Sequence, residues 1–509
     1  MSRLPDSSAE RVPDDEAEPP PAPAGDGLGT TASRGAAVTL AAQGVRLVLQ
    51  VGSLVVLARL LTPAQFGLVA MVTAITGIAE ILRDFGLSSA AIQAKNINHA
   101  ERSNLFWVNV GIGTVAAAVA AALSGPIGAW YGQPEIPAIV LVLAPLMIVS
   151  GATTQFRADL SRSMRFTALA RTDITAQVAS IVVAIVAAAL GAGYWAIVAQ
   201  QGAFVITTFV MSAAQSRLRP RWYRRGVSLR RFFRFGGGLL GMQLLGYTTN
   251  NVDTAALGAV WGPSQVGIYG RAYQLLIVPL NQVANALLRV MLPVLSKVQD
   301  DDERFLAYVR RAQLICGYGF GGAFSLAAGL AGPLVAVLFG PGWDGVAPVF
   351  AILAIGGVFR GLAQVTYWIT LAKGLTGSQL RFYLMARPFM ILCLLAGLPW
   401  GAVGVAVGHT VAFSVEWLAS FWWVGRASGL SIWPLAGRAV RIIGLVCLPA
   451  GAAAYAGTLL PLPAGLQLLA GIVCATVLLA VVMTVSRRER ADLKEMLEFG
   501  RRAVKKGAS

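Results

Sequence analysis

From residue 35 to residue 485 the chain is a succession of long, nearly uncharged apolar runs, separated by connectors that hold most of its charge. A run of about 20 apolar residues has no polar face to offer water, but as a helix it spans a bilayer with every backbone group satisfied internally. These runs are too long for the alternating strands, about ten residues each, of an outer-membrane barrel. The expected fold class is therefore an all-α polytopic membrane protein. With 56% of 509 residues hydrophobic and 13% charged, the composition accommodates about fourteen helices of roughly 22 residues each. Spans are expected near 37–61, 64–92, 104–124, 136–156, 174–192, 194–214, 235–260, 264–294, 312–332, 345–371, 380–398, 400–424, 439–459 and 464–485.

The formal charge of +17 would suit nucleic acid if it were clustered on one soluble face. Instead, the connectors after the even-numbered spans, with the opening turns that follow them and the C-terminal tail, hold 32 of the 41 Lys and Arg; connectors after odd-numbered spans hold none. That asymmetry orients a membrane protein with both termini and the even connectors cytosolic, so the lipid bilayer is the expected partner and nucleic acid is not. The four cysteines, Cys316, Cys393, Cys447 and Cys474, stand singly in apolar segments, indicating neither a disulfide framework nor a metal site. Met1 to Arg34 contains six prolines and seven acidic residues, the composition of a disordered tail. It lacks the pattern of a secretory signal, so the first span is expected to stay in the mature chain.

An internal repeat divides the rest. Thr62-Pro-Ala-Gln-Phe-Gly-Leu68 matches Gly262-Pro-Ser-Gln-Val-Gly-Ile268 at an offset of 200 residues, and Gly125 to Gly132 is echoed by Gly332 to Gly340. An even number of spans separates the copies, so both halves share one orientation. The expected organisation is a cytosolic tail (1–36), an N-lobe of spans one to six (37–214), an Arg-rich linker (215–234), a C-lobe of spans seven to twelve (235–424), two appended spans (425–485) and a basic cytosolic tail (486–509).

Charged residues inside spans are costly, about 2.5–3.5 kcal/mol each near the bilayer centre, and mark pairing or function. At 100° per residue, Arg271, Gln274, Asn281, Asn285 and Arg289 share an arc of about 80° on span eight. Spans one, two and seven carry matching stripes that include Arg46, Glu80, Arg83, Tyr247 and Asn250. Polar faces on both copies of one hairpin are what a water-filled cavity between two lobes requires. Arg46 and Glu80 stand at similar depth on neighbouring helices, as do Asp253 and Arg271, so two ion pairs are expected, either to neutralise buried charge or to serve transport. Arg83 and Arg289 sit near the cytosolic mouth, where snorkelling is the simpler account. Arg360 has no acid in its own span. His409 and Glu416, seven residues apart on one face, could carry a coupling proton or could be a packed histidine beside an incidental acid.

The strings Ala58-Arg-Leu-Leu-Thr-Pro-Ala-Gln-Phe-Gly67, Arg83-Asp-Phe-Gly-Leu87, and Asn251-Val-Asp253 with Gly267-Ile-Tyr269 resemble the polysaccharide transporter family. These are the Wzx-like lipid-linked oligosaccharide flippases of the multidrug/oligosaccharidyl-lipid/polysaccharide superfamily. The resemblance implies a non-enzymatic carrier in the cell inner membrane that turns a polyprenyl-pyrophosphate-linked glycan from the cytosolic to the outer leaflet by alternating access. It also implies coupling to a proton or sodium gradient rather than a bound cofactor, with polysaccharide assembly proteins as further partners. On that reading Arg46, Arg271 and Arg360 receive the pyrophosphate and Arg83 and Arg289 assist its arrival, while Gln274, Asn281, Asn285, Asn250 and Tyr247 bind sugar hydroxyls. A drug or small-solute exporter of the same superfamily is the rival carrier. A glycan polymerase or ligase would need acid–base groups outside, where Glu135 and Asp344 are the only charges in the connectors.

Overall fold

A computed structural model describes residues 27–84, 87–94, 97–492 and 494–496, with the side chains of 27–41 among those left out. Most of the acidic proline-rich tail lies outside the described residues. Its last ten residues are helical, because no proline follows Pro23 and the Ala-rich sequence lets span one propagate backwards.

Among the described residues there is no strand. The first seven helices are α1 (Gly27–Leu60), α2 (Pro63–Asp84), α3 (Leu87–Gln93), α4 (His99–Tyr131), α5 (Ile136–Arg162), α6 (Phe166–Ala189) and α7 (Trp195–Gln215). There follow α8 (Arg230–Lys297), α9 (Asp302–Cys316), α10 (Gly322–Gly329), α11 (Ala331–Phe339), α12 (Val346–Ala372), α13 (Thr376–Gly397), α14 (Gly401–Ser428), α15 (Trp433–Ile442), α16 (Leu448–Thr458) and α17 (Ala464–Val485). Eleven helical stretches among the described residues are long and apolar enough to cross a membrane, twelve if α9–α10 and α11, bent by 77°, form one broken span. This is a multi-pass membrane protein.

Two of those stretches, Gln243–Lys297 with 55 residues and Thr376–Ser428 with 53, are more than twice the roughly 20 residues that one crossing takes. Each is divided by a glycine at positive φ. Gly262 (φ 75°, ψ −174°) breaks α8 immediately before Pro263, and Gly401 (φ 64°) separates α13 from α14 after a single 3₁₀ turn. An L-residue with a side chain is strained in this backbone conformation, which explains glycine at both corners. Helices α4 to α7 pack on one another with α1 against α6, and α12 to α14 form a second set with α8; α2 and α8 lie side by side where the two sets meet.

The Arg-rich connector is fastened mainly through its backbone. Asn104 on α4 bonds the N–H and C=O of Arg224, the Trp107 indole donates to the Arg221 carbonyl at 2.8 Å, and Trp222 stacks on Trp107 with centroids 5.5 Å apart. Asp159 on α5 collects the Ser216 hydroxyl, the Arg217 N–H and the Arg102 guanidinium.

At the other end of the chain, fully buried Glu489 pairs with Arg441 at 2.9 Å and accepts the Tyr318 hydroxyl, while Asp492 also meets Arg441. Replacing Glu489 by alanine leaves Arg441 without one of these carboxylates beneath α9 and α15. A loss of about 3 kcal/mol, read as a lower thermal unfolding midpoint in detergent, is the expected outcome.

Candidate binding cavity

The repeated turns meet each other. A Cβ built on Gly67 would stand 1.7 Å from the carbonyl oxygen of Pro263, and one on Gly267 would stand 1.9 Å from that of Pro63. The contact is reciprocal at the 200-residue offset, so the two copies dock about a local pseudo-twofold axis. Gln65 and Gln265 repeat the symmetry. Gln65 accepts from Thr62 N–H and lies over Gly193 in the α6–α7 turn, while Gln265 accepts from Ala402 N–H beside Gly401 in the α13–α14 turn. Trp343 donates its indole N–H to the Ala58 carbonyl at 2.7 Å, and Arg59 reaches the Val337 carbonyl at 2.7 Å. Trp343 is 1% exposed and packs on Phe66.

Away from this seal the helices part. On α1, Ser53, Leu54, Leu57 and Ala58 are buried, whereas Val45, Val48 and Gln50 are exposed; on α8 beyond Leu280, Asn281, Val283, Asn285 and Arg289 are exposed while Ala284, Met291 and Leu295 stay buried on the opposite face.

Beneath the seal lies a cavity of about 700 Å³. Helix α2 contributes Thr73, Thr76 and Glu80, α6 Gln177 and Ser180, α7 Gln200 and Gln201, and α8 Tyr247 and Asn251. Tyr247 crosses from α8 to donate to the Thr73 carbonyl at 2.7 Å, and its hydroxyl occupies the space that a Cβ on Gly77 would need. A second cavity of about 250 Å³ shares the walls Ser150, Phe204 and Val205 and adds Arg46, Thr154, Arg157 and Asp173. In it one carboxylate holds two guanidiniums: Asp173 meets Arg46 at 3.2 Å and Arg157 at 2.8 Å.

Two expected ion pairs are not formed. Arg46 pairs with Asp173 and not with Glu80, because α1 packs against α6; matching depth fixes height along a helix but not which neighbour it faces. Glu80 lines the cavity with no ion-pair partner among the described residues. Arg271 does not pair with Asp253. It bonds Gln274 at 2.6 Å and lies 4.1 Å above the Phe66 ring, turned toward the first helical set, while both Asp253 oxygens are taken by Tyr269 and Thr254. Glu416 faces Arg387 on α13 at 3.8 Å, while His409 bonds Tyr269.

Arg387 and Glu416 line a separate cavity of about 220 Å³ within the second set, together with Arg360, Gln364 and Tyr383 among others. Arg360 donates to the Tyr273 hydroxyl at 3.2 Å and sits 4.8 Å over Phe413. His409 is buried against Tyr269, Tyr273 and Phe413.

Of the other residues predicted from sequence, Asn250, Asn281, Asn285 and Arg289 are exposed and line none of these three cavities. The Arg83 side chain lies outside the described residues. Sequence reasoning missed Arg157 and Asp173 because it placed them in a connector, and Arg387 because it counted it only among the cytosolic positive charges. Arg157 and Asp173 are sixteen residues apart across the short break between α5 and α6, so a hairpin juxtaposition was the signal available. Among the described residues, no group of three or more His, Cys, Asp or Glu is placed to hold a metal ion.

Residues 56–348 match the model of a family described as polysaccharide biosynthesis protein. The chain is similar to the lipopolysaccharide biosynthesis protein WzxC of Escherichia coli K12, 26% identical over 376 residues that cover 72% of this chain and 75% of that protein. It is also similar to the teichuronic acid biosynthesis protein TuaB of Bacillus subtilis 168, 26% identical over 68% of this chain and 72% of that one. Among solved structures, the lipid II flippase MurJ in an inward closed conformation superposes with a TM-score of 0.70 at 14% identity, covering 88% of this chain and 98% of that one. An inward-facing multidrug resistance MATE family transporter gives a TM-score of 0.56 at 15% identity over 77% and 96%. The fold is the one these two structures share.

Proposed function

Because this chain belongs to the polysaccharide biosynthesis protein family, we propose that it is a flippase for a polyprenyl-pyrophosphate-linked oligosaccharide, working in the cell inner membrane with both termini in the cytosol. The observation that carries this reading is the pair of wall-sharing cavities. A wide chamber lined by Thr, Gln, Tyr and Asn amides and hydroxyls adjoins a smaller one bearing two arginines.

Anionic phosphate oxygens and sugar hydroxyls cannot enter hydrocarbon unless their hydration is replaced. Arg46 and Arg157 supply planar forks for the pyrophosphate, and Gln177, Gln200, Gln201 and Tyr247 supply donors and acceptors for the sugars. Arg271, partly buried where the two sets meet, receives the phosphate as the lobes rock. Arg360 lies in the separate cavity of the second set and has no part in this first binding step. The exposed faces of the inner halves of α1 and α8 border the lateral gap through which the lipid tail stays in the bilayer, and the docked turns close the outer side. Chemistry at the glycan is not needed for any of this: the chain moves its substrate without making or breaking a bond.

Purified protein in vesicles containing a fluorescent polyprenyl-pyrophosphate sugar is expected to expose the sugar to a membrane-impermeant quencher, whereas vesicles without protein should not. Equal rates in the two preparations would refute the flippase reading.

A further inference from the structure

Asp253, at 3% exposure, is one of the most deeply buried charges among the described residues, and no arginine or lysine among them pairs with it. Instead, the Tyr269 hydroxyl stands 2.6 Å from its Oδ2 and 3.0 Å from Nδ1 of His409, itself 1% exposed. The opposite ring nitrogen, Nε2, is buried without a hydrogen-bond partner. A phenol has one proton and here faces two acceptor-capable atoms, so the position of every hydrogen in the chain of three is linked to the next.

We infer that Asp253, Tyr269 and His409 form a proton-binding relay whose port is the free Nε2 of His409. With Asp253 ionised, Tyr269 donates to Oδ2 and accepts from the Nδ1–H of His409, leaving Nε2 with a bare lone pair. When a proton binds Nε2, the Nδ1 proton passes to the Tyr269 oxygen as the Tyr269 proton passes to Oδ2. One proton has entered, two N–H or O–H bonds have broken and three have formed. Asp253 is neutral, and phenol and imidazole end as neutral as they began.

The surroundings favour a proton over a metal cation. The Asp253 oxygens face hydrogens, from the Thr254 N–H at 2.7 Å and from Tyr269, where a sodium ion would need several oxygen lone pairs. The charged groups acting on His409 are Arg360 on α12 and Arg387 on α13. The second of these is answered by Glu416 on α14, and the Tyr273 ring on α8 lies tilted against the imidazole with centroids 5.3 Å apart. The 220 Å³ cavity reaches Arg360 and Phe413, and the Phe413 ring centroid is 4.3 Å from that of His409, so water approaches to within one ring of the port.

The relay also spans the corner of α8. Asp253 precedes Gly262 and Tyr269 follows it, so their bond ties together the two arms of the turn that docks on Pro63 and Gly67. Proton uptake converts a charge-assisted hydrogen bond into a neutral one of about half the strength, loosening that tie. The proton site stands on its own geometry; only its use as the driving ion rests on the flippase reading.

The test uses the full chain in lipid nanodiscs and vesicles. Infrared difference spectra between alkaline and acidic buffer should show a protonated carboxyl band in the wild type that is missing in D253N, and an imidazole change that is missing in H409Q. In Y269F, which keeps the ring and removes the bridge, the two changes should no longer titrate together. A one-unit pH gradient can bias a one-proton carrier by about tenfold. That bias in glycan-lipid distribution is expected for wild type, with none for Y269F, and replacing sodium by choline should not alter it. A carboxyl band that titrates while no glycan moves upholds the relay and rejects the flippase. A wild-type spectrum without a carboxyl band, a band unaffected by D253N, or a bias that follows sodium would each overturn the relay.

Discussion

Alanine in place of Gly67 is expected to hold the protein open at the docked turns. The added methyl carbon would lie 1.7 Å from the Pro263 carbonyl oxygen, and that oxygen is backbone, so it cannot swing aside as a side chain could. Overpacking of this kind costs about 1–3 kcal/mol, and so close an approach belongs at the upper end, roughly a hundredfold in the ratio of closed to open forms. Alanine at Gly267 meets the Pro63 carbonyl and should act alike; the double variant should add little, since one separation relieves both clashes. The comparison is Gly270, on the same helix with nothing within 4 Å of its Cβ position, where alanine should be harmless. A cysteine introduced at Val266, fully buried in the docked turn, would report the opening: impermeant maleimide should label it about a hundredfold faster in G67A than in G270A, and glycan flipping should fall in step. Unchanged labelling in G67A would mean that the turns do not close this side.

That contact was partly legible before any fold was known. The two heptads Thr62 to Leu68 and Gly262 to Ile268 repeat, and the repeat is visible because both copies meet the same requirement, a proline at the head of a helix and a glycine one turn later. What the sequence does not display is that each glycine serves the other copy's proline. Helix boundaries were legible only where hydropathy changes sharply. Charged Arg157 and Asp173 depress the local mean and draw the apparent connector over themselves, although α5 runs on to Arg162 and α6 starts at Phe166. Periodicity identified the faces of α1 and α8 that carry Arg46 and Arg271 but not what stands opposite. The facing partner depends on how whole helices rotate against one another, and that is settled by packing of many small residues at once. The same blindness hid Tyr269 between Asp253 and His409, since the three lie on different helical arms and no spacing links them.

The arginine pair gives the sharpest separation of function from stability. Arg46 is 41% exposed and Arg157 36% exposed in their bonds to Asp173, so water screens both and each contributes at most about 1 kcal/mol to folding. R157A should therefore leave the unfolding midpoint nearly unchanged. Binding is another matter: a charge-assisted hydrogen bond to a phosphate oxygen contributes about 1.5–3 kcal/mol, so R157A should weaken capture and slow flipping of a pyrophosphate-linked glycan by roughly 10- to 100-fold. Lysine should restore little, because it lacks the planar fork that meets two oxygens at once. Asp173 must act in the opposite sense. It holds both guanidiniums, and an arriving pyrophosphate has to displace it. D173N keeps the shape, removes the competing charge, and should bind the glycan-lipid more tightly while releasing it more slowly. Flipping would then fall with affinity raised, whereas R157A lowers both. If the two variants shift affinity in the same direction, Asp173 is a scaffold for the arginines and the pyrophosphate binds elsewhere.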